Sequence, residues 1–183
     1  KMTTKIQVTE TIEDYLESIY NMRDEGQKII GARLADRLDL KPPTVSQTLQ
    51  RMKRDGLVKI AEGEITLTRH GTEVAEAAIR RHRVVERFMS DILGIEWAVA
   101  HREAERLQHA MSDLVEQKML EAMGHPTTCP HGNPIPGSRY EAPDSAPLSE
   151  VAVGTLFTIR RITEELEFEP GLLEFLEASS IQP

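Results

Sequence analysis

Residues 101–109 read His-Arg-Glu-Ala-Glu-Arg-Leu-Gln-His, and at 3.6 residues per turn His101, Glu105, Gln108 and His109 fall within roughly a 100° arc of one helix. Two imidazoles, a carboxylate and a carboxamide then project together as a set of lone pairs. Three further constellations offer similar donors. His82 and Glu86 are i, i+4 neighbours that can grip one ion, Asp14 and Glu17 stand three apart, and Cys129-Pro130-His131 places a thiol and an imidazole around a rigid proline. Oxygen and imidazole donors in this mixture suit Mn²⁺, Fe²⁺, Co²⁺ or Zn²⁺, whereas Ca²⁺ and Mg²⁺ prefer oxygen alone. The competing reading is a solvated polar face with surface ion pairs, for which Arg80, Arg81, Arg83 and Arg87 beside Glu86 supply partners.

The elements that must position these donors are mostly helical. Ile12, Tyr15, Leu16, Ile19 and Tyr20 form one apolar stripe and predict a helix over 9–22. A short helix over 32–38 leads through Pro42-Pro43 into a second, ending at Gly56, that buries Val45, Leu49 and Met52. Pro43, Thr44, Ser46 and Gln47 open this second helix and can reach base edges, while Arg33, Lys41, Arg51, Lys53 and Lys59 can face phosphates. Two short helices joined by a turn, followed by alternating residues 57–60 and 65–68 about Glu62-Gly63-Glu64, read as a winged helix-turn-helix. A long helix is expected to about Leu93, another from Glu96 to Met123, and their apolar surface suggests dimerisation. Six prolines in 125–147 read as a linker of limited flexibility. Alternation at Val151, Val153, Leu156 and Ile159 predicts strands, and Pro170-Gly171 a short helix; this segment either packs on the helices or begins a longer domain.

Composition bounds the function. The 183 residues carry a net charge of −8, which argues against indiscriminate coating of nucleic acid. Residues 27–60 nevertheless hold eight Lys and Arg against three Asp, a local +5, leaving −13 elsewhere. One region suits phosphate, and the acidic remainder suits cations. The single cysteine excludes an intramolecular disulfide, and the absence of an apolar run long enough for a membrane span or a signal segment points to a cytoplasmic protein. HExxH, Gly-rich phosphate loops and a Ser/His/Asp arrangement are missing, so an enzyme is not expected.

Several segments in order, Thr44-Val45-Ser46-Gln47-Thr48, residues 51–58, Arg81-His82-Arg83 with Glu86-Arg87, residues 109–113 and residues 132–137, resemble the metal-dependent repressors of the diphtheria toxin repressor family. The resemblance covers most of 9–137. It implies a mainly α protein with a winged helix-turn-helix DNA-binding domain over 1–70, a helical dimerisation and metal-binding domain over 71–137, a linker over 138–147 and part of a β-containing, SH3-like C-terminal domain over 148–183.

The resemblance also implies site roles. Asp14, Glu105, Gln108 and His109 match the primary metal site, with Glu17 beside Asp14, and carboxylates stand where iron-type members have sulfur. Harder donors favour Mn²⁺, as in the manganese-responsive branch, though Gln108 departs from the Glu usual there. His82, Glu86 and His101 match the ancillary site, with Glu169 nearest to its C-terminal carboxylate; Cys129 and His131 resemble a variant of that site, and which pair completes it is open. The expected function is a homodimeric, Mn²⁺-activated repressor of metal-homeostasis genes, binding operator DNA, with two ions per subunit and neither a membrane nor a small organic substrate as partner. The alternatives are an iron-responsive repressor of the same family, a metal storage or delivery protein without specific DNA binding, and a winged-helix regulator that senses a small molecule.

Overall fold

The computed structural model describes residues 8–167 and 169–183, which divide after Ile79 into two compact units. In the first, α1 (Glu10–Asp24), α2 (Gly31–Arg37) and α3 (Pro42–Arg54) precede a hairpin of β1 (Val58–Ala61) and β2 (Glu64–Leu67). The stripe on α1 does what its spacing requires: Ile12, Tyr15, Leu16, Ile19 and Met22 are buried with Leu34 of α2, Val45, Leu49 and Met52 of α3, and Leu57, Val58 and Ile65 of the hairpin. Each such side chain contributes about 1.5–3 kcal/mol by leaving water. This is the expected winged helix-turn-helix.

Local chemistry sets the boundaries. Pro42 opens α3, where its missing N–H costs nothing and its fixed φ is already helical. The hairpin register pairs Val58 with Leu67 and Ala61 with Glu64, leaving a two-residue turn in which Glu62 and Gly63 take φ of +50° and +79°. Positive φ at both positions matches the strand twist and is easiest for glycine at the second. The Ile65 amide also donates to the Ile29 carbonyl at 2.9 Å, so the wing is anchored beside α2. Thr68 closes the hairpin through its amide to Leu57 O and accepts from Gly71 N at 3.0 Å, capping α4 (Arg69–Asp91).

The second unit comprises the rest of α4, α5 (Trp97–Leu107), a 3₁₀ turn at Gln108–Ala110, α6 (Asp113–Ala122), a second 3₁₀ turn at Leu148–Glu150, α7 (Glu164–Glu167) and α8 (Leu172–Ala178). The single helix expected from Glu96 to Met123 is therefore two. Arg81 Nε donates to the Gln108 carbonyl at 3.1 Å, Met111 is extended, and Ser112 Oγ caps a new helix by accepting from Val115 N. Asp113 and Glu116 in the first turn of α6 complement its dipole, and buried Glu116 lies 2.5 Å from Arg80 Nε.

Two other expectations are corrected. The proline-rich tract does not begin as a linker: residues 127–135 fold back on themselves through Cys129 N to Asn133 O and Ile135 N to Thr127 O, both 2.9 Å, and bury Cys129, His131, Asn133 and Ile135. Gly132 makes the fold possible, since its φ is +82° and a Cβ there would sit 2.1 Å from Arg160 O. Among the described residues after Leu148 there is no strand. Val153 and Leu156 are fully exposed, so their alternation marks no buried face. The later part of this C-terminal segment packs on the helices: Ile162 and Leu173 share a cluster with Trp97 and Ala98 of α5.

Candidate metal centre

The second unit concentrates its buried polarity at one place. Glu86, one turn beyond His82 on α4, is 1 % exposed, and its Oε1 lies 3.2 Å from His82 Nε2 and 2.8 Å from His101 Nδ1 of α5. From the opposite side the folded-back loop brings His131 Nδ1 to 3.8 Å from the same oxygen and 3.1 Å from Glu167 Oε1 of α7. Glu167 Oε2 is 3.4 Å from His101 Nδ1. Ligand atoms of His82, Glu86 and His101 lie within 4.8 Å of one another, and so do those of Glu86, Cys129 and His131. Glu86 is common to both sets, so the two alternatives left open by the sequence share this carboxylate.

Position is enforced from outside the cluster. Gln108 Oε1 meets His82 Nδ1 at 2.7 Å. Asn133 Nδ2 donates to Glu167 Oε1 at 2.5 Å and to Ile162 O at 2.9 Å. Trp97 packs edge-on against His131 with ring centroids 5.0 Å apart, forming an apolar wall. Arg83, buried on α4, pairs with Glu164 at 2.8 Å and donates to Pro134 O, tying α7 and the loop to α4.

Burial of so many ionisable groups has electrostatic consequences. Burial opposes ionisation of Glu86, but His82, His131 and the hydrogen bond to His101 hold its carboxyl well below the usual carboxylate range. Burial alone would lower His131; facing Glu86, Cys129 and Glu167, it is pushed up to about 12. Burial, aided by the Glu86 charge, raises the Cys129 thiol to about 11. Glu167 rises to about 7 through burial and its like-charged neighbours Glu164 and Glu86. Protons are thus held where a cation is needed, and Glu86 Oε2, Glu167 Oε2 and His131 Nε2 are buried without a hydrogen-bond partner among the described residues. The donor set of carboxylate, imidazole and thiol suits a transition-metal dication, which would supply the compensating charge and displace the protons. These residues fit such an ion.

Relatives of known structure and sequence point the same way. The profile of the family described as "Iron dependent repressor, N-terminal DNA binding domain" matches residues 7–63, and that of "Iron dependent repressor, metal binding and dimerisation domain" matches residues 68–137. The iron-dependent repressor IdeR of Mycobacterium tuberculosis H37Rv is 36% identical over 189 residues, covering 97% of this chain and 82% of that protein. The chain belongs to the diphtheria toxin repressor family of metal-dependent regulators. The diphtheria toxin repressor of Corynebacterium efficiens is 44% identical over 131 residues, 71% of this chain and 57% of that protein. Among solved structures, a manganese-dependent transcriptional repressor in complex with manganese superposes with a TM-score of 0.83 at 32% identity, covering 93% of this chain and 79% of that one. ScaR with bound Cd²⁺ gives 0.77 at 26% identity, covering 93% and 80%.

In this family member the C-terminal carboxylate that reaches the centre is Glu167, not Glu169. α7 places Glu164 and Glu167, three apart, on its buried face, whereas Glu169 lies beyond the helix and is exposed, lining a cleft with His101, Glu105, Glu167 and Glu174. The signal for Glu167 was the i, i+3 spacing of two acids in 164–167. Gln108 is 3 % exposed and its side-chain oxygen is on His82; its backbone is still helical, and the chain leaves the helix only at Met111. Glu105 is exposed, 3.9 Å from His101 Nε2, and His109 is half-buried with Nε2 3.4 Å from Gln108 Nε2. In the first unit Asp14 is exposed and Glu17 half-buried on α1. Arg33, Lys41, Pro43, Thr44, Ser46, Gln47, Arg51, Lys53 and Lys59 are all exposed.

Proposed function

We propose that this chain is a manganese-responsive, homodimeric repressor of metal-homeostasis genes, acting in the cytoplasm on operator DNA. The observation that carries the metal-sensing part is the buried convergence of His82, His101, Cys129 and His131 on Glu86, supported from behind by Gln108 and Asn133. The donor types of Asp14 and Glu17 in the first unit, and of Glu105 and His109 in the second, suit further divalent-ion binding. Carboxylates there favour Mn²⁺ over softer competitors. Gln108 is assigned to the Glu86 centre instead.

On α3, Pro43, Thr44, Ser46 and Gln47 would read the major groove, with Arg33, Lys41, Arg51, Lys53 and Lys59 on phosphates. The exposed apolar residues Leu107, Leu114 and Val115 fall within the stretch matched by the dimerisation profile, and support a self-association surface. The Cys129 thiol favours a second reading, activation by Fe²⁺, because it adds a soft donor to the centre, and the relatives in Mycobacterium are named iron-dependent. Operator binding titrated with Mn²⁺, with Fe²⁺ and with chelator decides. Tight binding that appears with Mn²⁺ at concentrations where Fe²⁺ is ineffective supports the proposal; equal affinity with metal and with chelator contradicts it.

A further inference from the structure

The 101–109 arc of donors contains one side chain whose place in the fold differs from its place in the sequence pattern. Gln108 is spaced to be a ligand beside Glu105 and His109, but it is buried at the start of the 3₁₀ turn, with its carbonyl held by Arg81 and its side-chain oxygen 2.7 Å from His82 Nδ1. We infer that Gln108 is a positioning residue of the Glu86 centre, fixing His82 in the tautomer that presents Nε2 to the ion, and is not itself a metal ligand. The inference rests on the metal-centre reading above.

The chemistry is direct. A carboxamide oxygen has no proton to give, so a short contact with His82 Nδ1 requires that nitrogen to be the donor. Without metal the ring can be protonated at Nε2 and face Glu86 as a cation; once that proton leaves, as ligation requires, the lone pair stands on Nε2, the atom 3.2 Å from Glu86 Oε1. Two acceptors facing each other at that distance repel unless a cation lies between them. Gln108 thereby pre-sets one wall of the centre for a cation, in the way that hydrogen bonds behind ligating histidines generally fix ring orientation and tautomer. A glutamate in its place would accept the same bond. It would also add a negative charge beside a cluster that already buries Glu86, Glu164 and Glu167.

The first test is a long-range ¹H–¹⁵N spectrum of the metal-free full chain, recorded at a pH high enough that the His82 ring is neutral, which distinguishes its two neutral tautomers. The inference expects the Nδ1–H form in the wild type, its loss in Gln108→Leu and its retention in Gln108→Glu. The second is a Co²⁺ titration read at the thiolate-to-cobalt absorption band. That band reports only on this centre because Cys129 is the single cysteine. Gln108→Leu should weaken Co²⁺ binding at the band by about 10- to 100-fold, as removal of such an outer partner generally does, and Gln108→Glu should restore it.

His82 in the Nε2–H form in the wild type, or a band in Gln108→Leu that titrates as in the wild type, overturns the inference. His82→Ala separates the levels. If it too titrates as the wild type, the metal-centre reading fails; if it is weakened while Gln108→Leu is not, only the role of Gln108 fails. Should Gln108→Leu not fold, the wild-type tautomer still decides.

Discussion

The two units solve the problem of burial in opposite ways. The first is held by an almost wholly apolar cluster, from Ile12 on α1 to Ile65 on β2, with most of its charged side chains outside and the Arg37–Glu25 pair largely covered. The second has only small apolar clusters, Val85, Met89, Ala100 and Ala104 in one and Trp97, Ala98, Ile162 and Leu173 in the other. Many of its other buried residues are polar: His82, Arg83, Glu86, His101, Gln108, Glu116, His131, Asn133, Glu164 and Glu167. Apolar burial stabilises the first without help from solutes. Buried carboxylates, by contrast, are costly unless compensated; Arg80 faces Glu116 and Arg83 faces Glu164, and a cation beside Glu86 and Glu167 would add to that compensation.

The strongest way to break this comparison is in the first unit. Leu16→Ala, at a fully buried position, should cost about 2–5 kcal/mol of stability and leave the Co²⁺ absorption titration unchanged in the fraction that remains folded. Leu16→Ala protein that loses the Co²⁺ band while its winged helix stays folded would contradict the separation. Next in size, Mn²⁺ at a hundredfold excess over its dissociation constant should add about 2.7 kcal/mol to unfolding followed by Trp97 fluorescence. Trp97 is the only tryptophan and lies against His131. No shift of that transition with any of Mn²⁺, Fe²⁺, Co²⁺ or Zn²⁺ would remove the cation from the account.

A third measurement sharpens the electrostatic side. Because His131 and Cys129 are raised to about 12 and about 11, both keep their protons at neutral pH until an ion displaces them. Metal affinity at the centre should therefore rise with pH below those values, by about tenfold per pH unit for each proton released. Affinity that is flat between pH 6 and pH 8 would mean that neither proton is displaced. The smallest effect belongs to the surface of the first unit. Lys53→Ala should weaken operator binding by about the same factor on every sequence and reduce the salt slope by about 1, without altering the Trp97 transition.

The same contrast explains what could be read from the chain without coordinates. The winged helix was legible to within two or three residues because apolar spacing, Pro42 and the Glu62-Gly63 turn all act locally. In the second unit the donor types were legible, His82 with Glu86 as an i, i+4 pair and Cys129 with His131 as neighbours, but not their convergence on one carboxylate. That convergence depends on long-range contacts such as Ile162 N to His131 O and Arg83 to Glu164, which no periodicity encodes. The helix break at Met111 was hidden for a related reason. Apolar spacing continues across it through Leu107, Met111, Leu114 and Val115, and the local signal is the Ser112 cap with Asp113, while Arg81 on the Gln108 carbonyl is a long-range contact. Alternation in 151–159 misled because exposed apolar residues can alternate with nothing to face.

The central claim is that Glu86 is the meeting point of one buried ion site. Anomalous diffraction from crystals of the Mn²⁺-loaded full chain tests it most directly. The account predicts a manganese peak at coordination distance from Glu86, roughly 2.0–2.3 Å, with ligands drawn from His82, His101, Cys129, His131 and Glu167. A fully occupied manganese peak elsewhere on the chain, with none beside Glu86, would contradict it.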